Sequence, residues 1–557
     1  MKSCSGFSVL SFRSQSSLHL TRESATFIWY QLLLRLLKDI QSDLYTGNST
    51  NNSFDIFNKI RKYVVKDDDS CALDEFQKKY SPTNAVYWYT RNTFIYRLLN
   101  KAIKTRNIDI LYTLNSLIVD LQTQLEQLST AAPNKLTSST FTLYRGARIR
   151  SDELEQLKVN IGSFISLNRF TSTSRERDIA LTYAEAYSST DNDSDVYPII
   201  YEINCSVGIH SAVFADVEQY GTNLNEKEVL FGFSTVFEIT SVELKDDIWT
   251  VKLCNTNKHT QLVDNYLDVA KHEMKESSSE LLFGRLLFYL GEYKTAGTYV
   301  KEIAPILLGK DKYESLARFC FDIGRRYYLN GEIDFALDTY YSTLKYSTNH
   351  TLVACTLFTI ANVYFERNDY ERALDYYQKI VESEKALYDC DSLPSAVYTT
   401  MGIIYQSMEE YEKALYCYRK AMEIDTKHDS VSLANSMDNI ASVCEQMNNY
   451  DTALAYYMDA QKIRLKVVSP NHMSIATSFL NLATLYTLIG EKKLALECYL
   501  NALYIQKLNL QENHPEVNET IAKIRRLGFS EGKIDLQRVL QKSHYTPKPW
   551  ISLSCFD

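Results

Sequence analysis

The chain has no Cys-x-x-Cys pair, no excess of positive charge and no long uninterrupted apolar run. Each of these absences removes a class of function. The eleven cysteines are odd in number and scattered from Cys4 to Cys555, which argues for reduced thiols rather than a disulfide framework or a zinc site and favours the cytosol. The histidines are isolated, so no metal is implied. A formal charge of -9 at pH 7 gives no blanket of positive field for a phosphate backbone; nucleic acid is not the expected partner, and an anionic ligand needs a local site. The strongest apolar stretch, Phe27 to Leu37, is interrupted by Gln31 and Arg35 and is too short to span a bilayer, so it reads as a buried helix and no membrane partner is expected. Met1 to Gln15 carries no continuous apolar segment of the kind a secretory signal needs, and residues 1–21 are expected to be poorly ordered. Asn48-Ser49-Thr50 and Asn51-Asn52-Ser53 match the glycosylation sequon, which matters only in a secreted chain.

What is present exceeds one compact core: 557 residues, 45% of them apolar, call for at least two domains. The second half is self-similar. An apolar residue, a Gly or Ala, and a Tyr or Cys three further on recur as Ile323-Gly324-Tyr327, Ile360-Ala361-Tyr364, Met401-Gly402-Tyr405, Ile440-Ala441-Cys444 and Leu482-Ala483-Tyr486. Twelve positions after each small residue stands an alanine (Ala336, Ala373, Ala414, Ala453, Ala495), and four beyond it a tyrosine (Tyr340, Tyr377, Tyr418, Tyr457, Tyr499). A weaker copy runs from Phe283-Gly284 to Ala296. The spacing predicts a helical hairpin repeated roughly six times, in which the small residue admits the second helix and Ala shares a face with its i+4 Tyr. Turns fall at Gly291-Glu292, Gly331-Glu332, Asn368-Asp369, Asn448-Asn449 and Gly490-Glu491. From Leu281 to Leu527 the pattern resembles the tetratricopeptide repeat, with alanine spacings of about 37 to 42 residues instead of 34, similar to the repeats of kinesin light chains. The resemblance implies a superhelix whose groove holds a peptide or another protein. The tyrosines themselves read as core. Residues 528–557, with Pro547-Lys548-Pro549, read as a terminal helix and loose tail.

The first half differs in kind. From Arg22 to Leu128 the pattern is helical, with Tyr30, Leu33, Leu34 and Leu37 on one face and Tyr87, Thr90, Phe94 and Leu98 on another buried helix. From Phe141 to Leu253 it shifts to short runs, among them Thr142-Tyr144, Gly162-Leu167, Ile199-Ile203, Glu228-Phe233 and Val236-Ile239. Helices followed by strands imply an α+β domain, residues 22–255, with a boundary near Asn255 to Thr260 and a helical linker, residues 256–280, leading to the repeats at 281–527.

Three polar segments stand out within the strands: Leu143-Tyr144-Arg145-Gly146, Phe170-Thr171-Ser172-Thr173-Ser174, and Glu226-Lys227-Glu228 followed by Val229-Leu230-Phe231. Taken singly, each has an ordinary reading: a surface arginine, a polar strand end in which Ser174 caps a helix beginning near Arg175-Glu176, and an exposed strand edge. If the last segment is extended, Glu226 and Glu228 lie on one face of it. Their order and spacing resemble the Arg, Ser-Thr-Ser, Glu-x-Glu signature of arginine-specific mono-ADP-ribosyltransferases.

That resemblance implies transfer of ADP-ribose from NAD, the co-substrate, to a protein arginine with release of nicotinamide. The transition state is an oxocarbenium-like ribose, so negative charge must sit near the sugar and donors near the phosphates. By resemblance Arg145 binds the phosphates or ribose, and Gly146 lets NAD approach the backbone and binds the nicotinamide amide through its main chain. Ser172 holds the catalytic glutamate, with Thr173 and Ser174 in support. Glu228 bonds the 2'-hydroxyl of the nicotinamide ribose and stabilises the cation; Glu226 faces and deprotonates the acceptor, its identity being associated with arginine. The loop from Phe214 to Asn225 corresponds to the substrate-recognition loop, where Tyr220 either packs on an acceptor or is a plain turn residue. Trp88-Tyr89 reads as core. An NAD glycohydrolase and a non-catalytic repeat adaptor remain as alternatives.

Overall fold

The structure, a computed structural model, describes residues 7–10, 21–46, 60–61, 67–91, 93–130, 140–185, 195–206, 212–221, 226–274, 278–308, 312–383, 393–426, 431–511 and 513–527. The two sequons, Thr222 to Asn225 of the recognition loop and the tail from Gly528 lie outside the described residues. Two compact units form, Met1–Ser347 and Thr348–Asp557.

In the first unit, helices precede the sheet as the pattern predicts: α1 (Arg22–Thr46), α2 (Asp67–Lys79), α3 (Ala85–Thr90), α4 (Phe94–Thr105), α5 (Ile108–Thr113) and α6 (Asn115–Thr130). Helix α1 buries Phe27, Ile28, Trp29, Tyr30, Leu32, Leu33, Leu36 and Leu37, too many directions for a single stripe, and is covered on more than one side. The single helix expected through Tyr87 and Leu98 is in fact two. Thr93 leaves the helical region (φ -70°, ψ 172°) and its hydroxyl donates to the Trp88 carbonyl, so the chain turns between α3 and α4.

Among the described residues the sheet has nine strands: β1 (Ser8–Leu10), β2 (Thr140–Arg150), β3 (Phe164–Ser166), β4 (Thr171–Ser174), β5 (Val196–Ser206), β6 (Phe214–Asp216), β7 (Glu228–Phe231), β8 (Val236–Lys245) and β9 (Ile248–Asn255). Their spatial order is β1-β3-β8-β9-β5-β2-β4-β7-β6, antiparallel throughout except for β5 on β9. Strand β1 arises inside residues 1–21, expected to be loose: Val9 pairs with Ile165, and Ser8, Val9 and Leu10 are buried. Apolar side chains from most strands, Leu143, Ile165, Ile203, Val229, Phe237 and Val251 among them, share one core. Helix α7 (Ser151–Val159) follows β2, and α8 (Arg177–Glu185) follows β4.

One junction is thin. Strand β2 pairs with β5 along its whole length, from Thr140 opposite Ser206 to Arg150 opposite Val196, yet meets β4 only where Tyr144 faces Ser174. Beyond that rung the sheet splits, and the polar segments gather at the split.

After α9 (His259–Glu273) come helical hairpins. In the first unit these are Ser279–Tyr289 with Tyr293–Thr298, and Tyr313–Leu329 with Ile333–Tyr346. In the second unit they are His350–Glu366 with Tyr370–Glu382, Leu393–Ser407 with Tyr411–Asp425, Val431–Gln446 with Tyr450–Val467, and Met473–Ile489 with Lys492–Asn509, closed by Pro515–Arg526. The repeat alanines and second-helix tyrosines are core: Ala336, Ala373, Ala414, Ala453 and Ala495 are buried, as are Tyr340, Tyr377, Tyr418, Tyr457 and Tyr499. At Gly402 an added Cβ would fall 2.6 Å from the Tyr418 ring, so the small residue of the first helix is the seat for the tyrosine of the second.

Candidate active site

The site is built where β2, β4, β7 and α8 converge. On β4, Thr173 turns to the neighbouring strand, its Oγ1 donating to the Val229 carbonyl at 2.7 Å. Ser172 and Ser174 alternate to the other side and line a cleft of about 310 Å³ with Arg145, Gly146, Tyr183, Glu226 and Glu228. Ser174 has two roles. Its Oγ accepts from the Glu176 backbone N–H at 3.0 Å, ordering the entry to α8, and donates to the Glu226 carbonyl at 2.8 Å. The helix itself begins at Arg177, slightly later than the sequence suggests.

Glu228 opens β7 directly opposite Ser174, with Ser172 at the diagonal position. Burial pushes its carboxyl above the ordinary glutamate range; a hydrogen bond from the Ser172 side chain opposes this, repulsion from Glu226 adds to it, and Arg145 counters it. The arrangement keeps a carboxylate poorly solvated but specifically held.

Glu226 and Glu228 share the cleft for a different reason from the one their spacing suggests. Lys227 has φ +46°, in the left-handed region, so the segment is a turn joined to a strand and the two-residue alternation of an extended chain does not apply. The turn is pinned by the Ser174 contact to Glu226, by Arg175 N–H donating to the Lys227 carbonyl at 3.4 Å, and by an ion pair of Lys227 with Glu176. Glu226 Oε1 accepts a hydrogen bond from the Tyr183 hydroxyl at 3.0 Å.

Arg145 sits on β2 one residue past the Tyr144 rung, and its Nη1 donates to the Ser172 carbonyl at 2.7 Å, bridging the split. Burial and the neighbouring Arg169 lower its pKa, though a guanidinium stays charged at neutral pH. Gly146 is required by the protein itself: a Cβ there would lie 1.8 Å from the Ala180 carbonyl oxygen and 2.8 Å from Ala184 N, so α8 packs directly on the β2 backbone. The close approach expected of a ligand at Gly146 is made on its Cβ side by a helix.

Arg145, Gly146 and Tyr183 also border a second cavity, of about 810 Å³, which carries Lys101, Lys104, Arg148, Arg150 and Arg169. This basic chamber has no sequence motif; its cations come from α4, from β2 and from the turn before β4. Tyr183 was equally hidden, marked only by lying one turn beyond Ile179 on the helix that follows Ser174. Trp88 and Tyr89 are core as expected, with Tyr89 also reaching the wall of the smaller cleft. Tyr220 ends a short 3-10 turn, Glu218–Tyr220, and its carbonyl accepts from Thr90 Oγ1 at 3.1 Å. Among the described residues no group of three or more His, Cys, Asp or Glu is placed to hold a metal, and no helix is long and apolar enough to cross a membrane.

Residues 71–261, the span that contains every one of these side chains, match the family model described as NAD:arginine ADP-ribosyltransferase. This region is an ADP-ribosyltransferase domain. Further along the chain, residues 352–427 and 432–507 match the tetratricopeptide repeat. No curated protein matches the chain. Among solved structures, BtubC from P. vanneervenii is 17% identical with a TM-score of 0.31, covering 42% of this chain and 89% of its own. A Podosopora anserina protein described as a kinesin light chain with nearly identical TPR-like repeats is 17% identical with a TM-score of 0.30, covering 35% and 94%. The C-terminal part of a TPR repeat-containing protein from Cytophaga hutchinsonii is 16% identical with a TM-score of 0.33, covering 46% and 95%.

Proposed function

We propose that the chain transfers ADP-ribose from NAD to an arginine side chain of a protein and releases nicotinamide, with Glu228 as the catalytic residue. The observation that carries this reading is the placement of Glu228: a half-buried carboxylate, hydrogen-bonded by Ser172 and facing Arg145, in a small cleft that shares Arg145, Gly146 and Tyr183 with a basic chamber. A dinucleotide has the matching polarity. Its pyrophosphate suits the cations around Arg145, Arg148 and Arg169, and its nicotinamide ribose suits the carboxylate end. Gly146, Thr173 and Ser174 complete the NAD-binding wall.

The chemistry follows from charge. As the bond from ribose C1' to nicotinamide breaks, the electron pair leaves with nicotinamide and the ribose gains positive charge, which Glu228 stabilises at close range in a poorly solvated site. A guanidine nitrogen of the acceptor then attacks C1', and Glu226 takes its proton. Residues 22–255 constitute the transferase, 256–280 the linker, and the repeats at 281–527 recruit the protein to be modified through their exposed groove in the cytosol.

Incubation with labelled NAD, with and without an arginine-bearing acceptor, tests this. Label on the acceptor's arginine, abolished by Glu228→Gln with NAD binding retained, is the expected result. Release of nicotinamide without acceptor labelling would make the chain an NAD glycohydrolase, and neither reaction would leave an adaptor.

A further inference from the structure

We infer that Tyr183 is a positioning residue that sets the Glu226 carboxylate for the acceptor and thereby decides between transfer to a guanidinium and loss of ADP-ribose to water; the inference rests on the transferase reading above. Tyr183 is 52% exposed, unusual for a large aromatic residue, and it stands at the boundary of the carboxylate cleft and the basic chamber, bordering both. Its hydroxyl donates to Glu226 Oε1 at 3.0 Å.

Both ends of this contact are fixed by backbone. Tyr183 lies between Ala180 and Ala184, the two residues whose main chains press on Gly146, so α8 cannot roll without separating from β2. Glu226 follows from the pinned turn at Lys227, with its own carbonyl held by Ser174. The phenol is a dependable donor: burial and the Glu226 contact push its pKa up to about 12, so it does not ionise at neutral pH.

The consequence lies in carboxylate geometry. A guanidinium is best received by two oxygens in a fork, and a phenol on Oε1 fixes the carboxylate plane and orients Oε2 to a defined side. Water needs no such orientation. Without the phenol hydroxyl Glu226 would still accept a proton from water, but its carboxylate plane would lose this restraint and meet the planar acceptor in the correct orientation less often. Tyr183 therefore acts through Glu226 and discriminates by acceptor, leaving the bond-breaking step at Glu228 untouched.

The test compares wild type, Tyr183→Phe and Glu226→Gln, each assayed for nicotinamide release in water alone and for ADP-ribosylation of agmatine, a small guanidine that needs no recruitment by the repeats. Phe keeps the ring that borders both cavities and removes only the hydroxyl. Tyr183→Phe should lower the ratio of agmatine transfer to NAD hydrolysis by roughly tenfold or more, the scale of one hydrogen bond to a charged group. In the Glu226→Gln background the same substitution should have no further effect on transfer, because the group it positions is gone. An unchanged ratio of transfer to hydrolysis in Tyr183→Phe overturns the inference, as does an equal fall in both activities, which would mark the hydroxyl as structural. Absence of both activities from the wild type would overturn the transferase reading and this inference with it.

Discussion

Arg145 donates from Nη1 to the main-chain carbonyl of Ser172 at 2.7 Å, across the point where β2 and β4 separate after a single rung. The bond ties the proposed phosphate ligand to the residue that holds the proposed catalytic carboxylate. Arg145→Lys keeps the charge but loses the planar fork, so the Ser172 carbonyl and the anion can no longer be served together. The KM for NAD should rise by about 10- to 100-fold, the equivalent of one charged hydrogen bond, with circular dichroism unchanged.

Glu228 is held above the ordinary glutamate range by burial, and the Ser172 hydrogen bond pulls it back down. Activity needs the ionised form, so the acid limb of the pH profile for nicotinamide release should lie above that of an exposed glutamate, near 4.3. Ser172→Ala removes the hydrogen bond that most favours ionisation. The limb should therefore move to still higher pH, measured as kcat/KM against pH under saturating acceptor.

Gly146→Ala places a methyl group against the Ala180 carbonyl and Ala184 N, both of them main-chain atoms that no side-chain rotation can move. Helix α8 must back away from β2, carrying Tyr183 with it. A loss of about 3 kcal/mol in the first unit is expected, with a lowered melting temperature and weaker NAD binding.

Arg464 is 2% exposed and bonds Asp438 Oδ2, Ser478 Oγ and Asn435 Oδ1 between repeat helices of the second unit. Desolvation raises the Asp438 pKa to about 6 even with this partner. Arg464→Met leaves the carboxylate buried without its counter-charge and should cost roughly 3 to 5 kcal/mol, whereas pairing it with Asp438→Leu should recover most of the loss. Calorimetry of the wild type and these two variants reads the difference.

Glu409 occupies a hairpin turn with φ +61°, where the other turns carry Gly or Asn. Glu409→Gly should stabilise the second unit by about 1 kcal/mol, seen as a higher melting temperature.

That same turn shows where the sequence was legible and where it was not. Five turns announce themselves by Gly or Asn, while Glu409-Glu410 carries no such mark and is set by the helices on either side closing over it, with Glu410 N–H reaching the Tyr405 carbonyl at 2.8 Å. The repeat core was readable because a small residue, Gly or Ala, recurs on the first helix at a fixed distance from the Ala and Tyr of the second, and at Gly324 and Gly402 the tyrosine fills the space the missing side chain leaves. Strand β9, which pairs antiparallel with β8 and parallel with β5, was not singled out: the two-residue turn that joins it to β8, Asp246-Asp247 with both φ positive, lacks the glycine that usually announces such a hairpin, and its other partner lies over 40 residues back. Arg145, Ser172, Glu226 and Glu228 were recognisable as a set and do line one cleft. Arg148, Arg150 and Arg169 were not, since a cation that gains meaning from a chamber between α4 and β2 looks, along the chain, like any surface charge.

The left-handed Lys227 divides the acid pair between two bodies. Glu228 belongs to the hydrogen-bonded ladder and is as rigid as the sheet, whereas Glu226 belongs to a turn that meets it through side-chain pins. Under the proposed roles of the two glutamates, grafting a different turn ahead of a retained Glu228 would be a route to a new acceptor chemistry on an unaltered strand, which makes the segment before β7 the natural cassette for re-engineering.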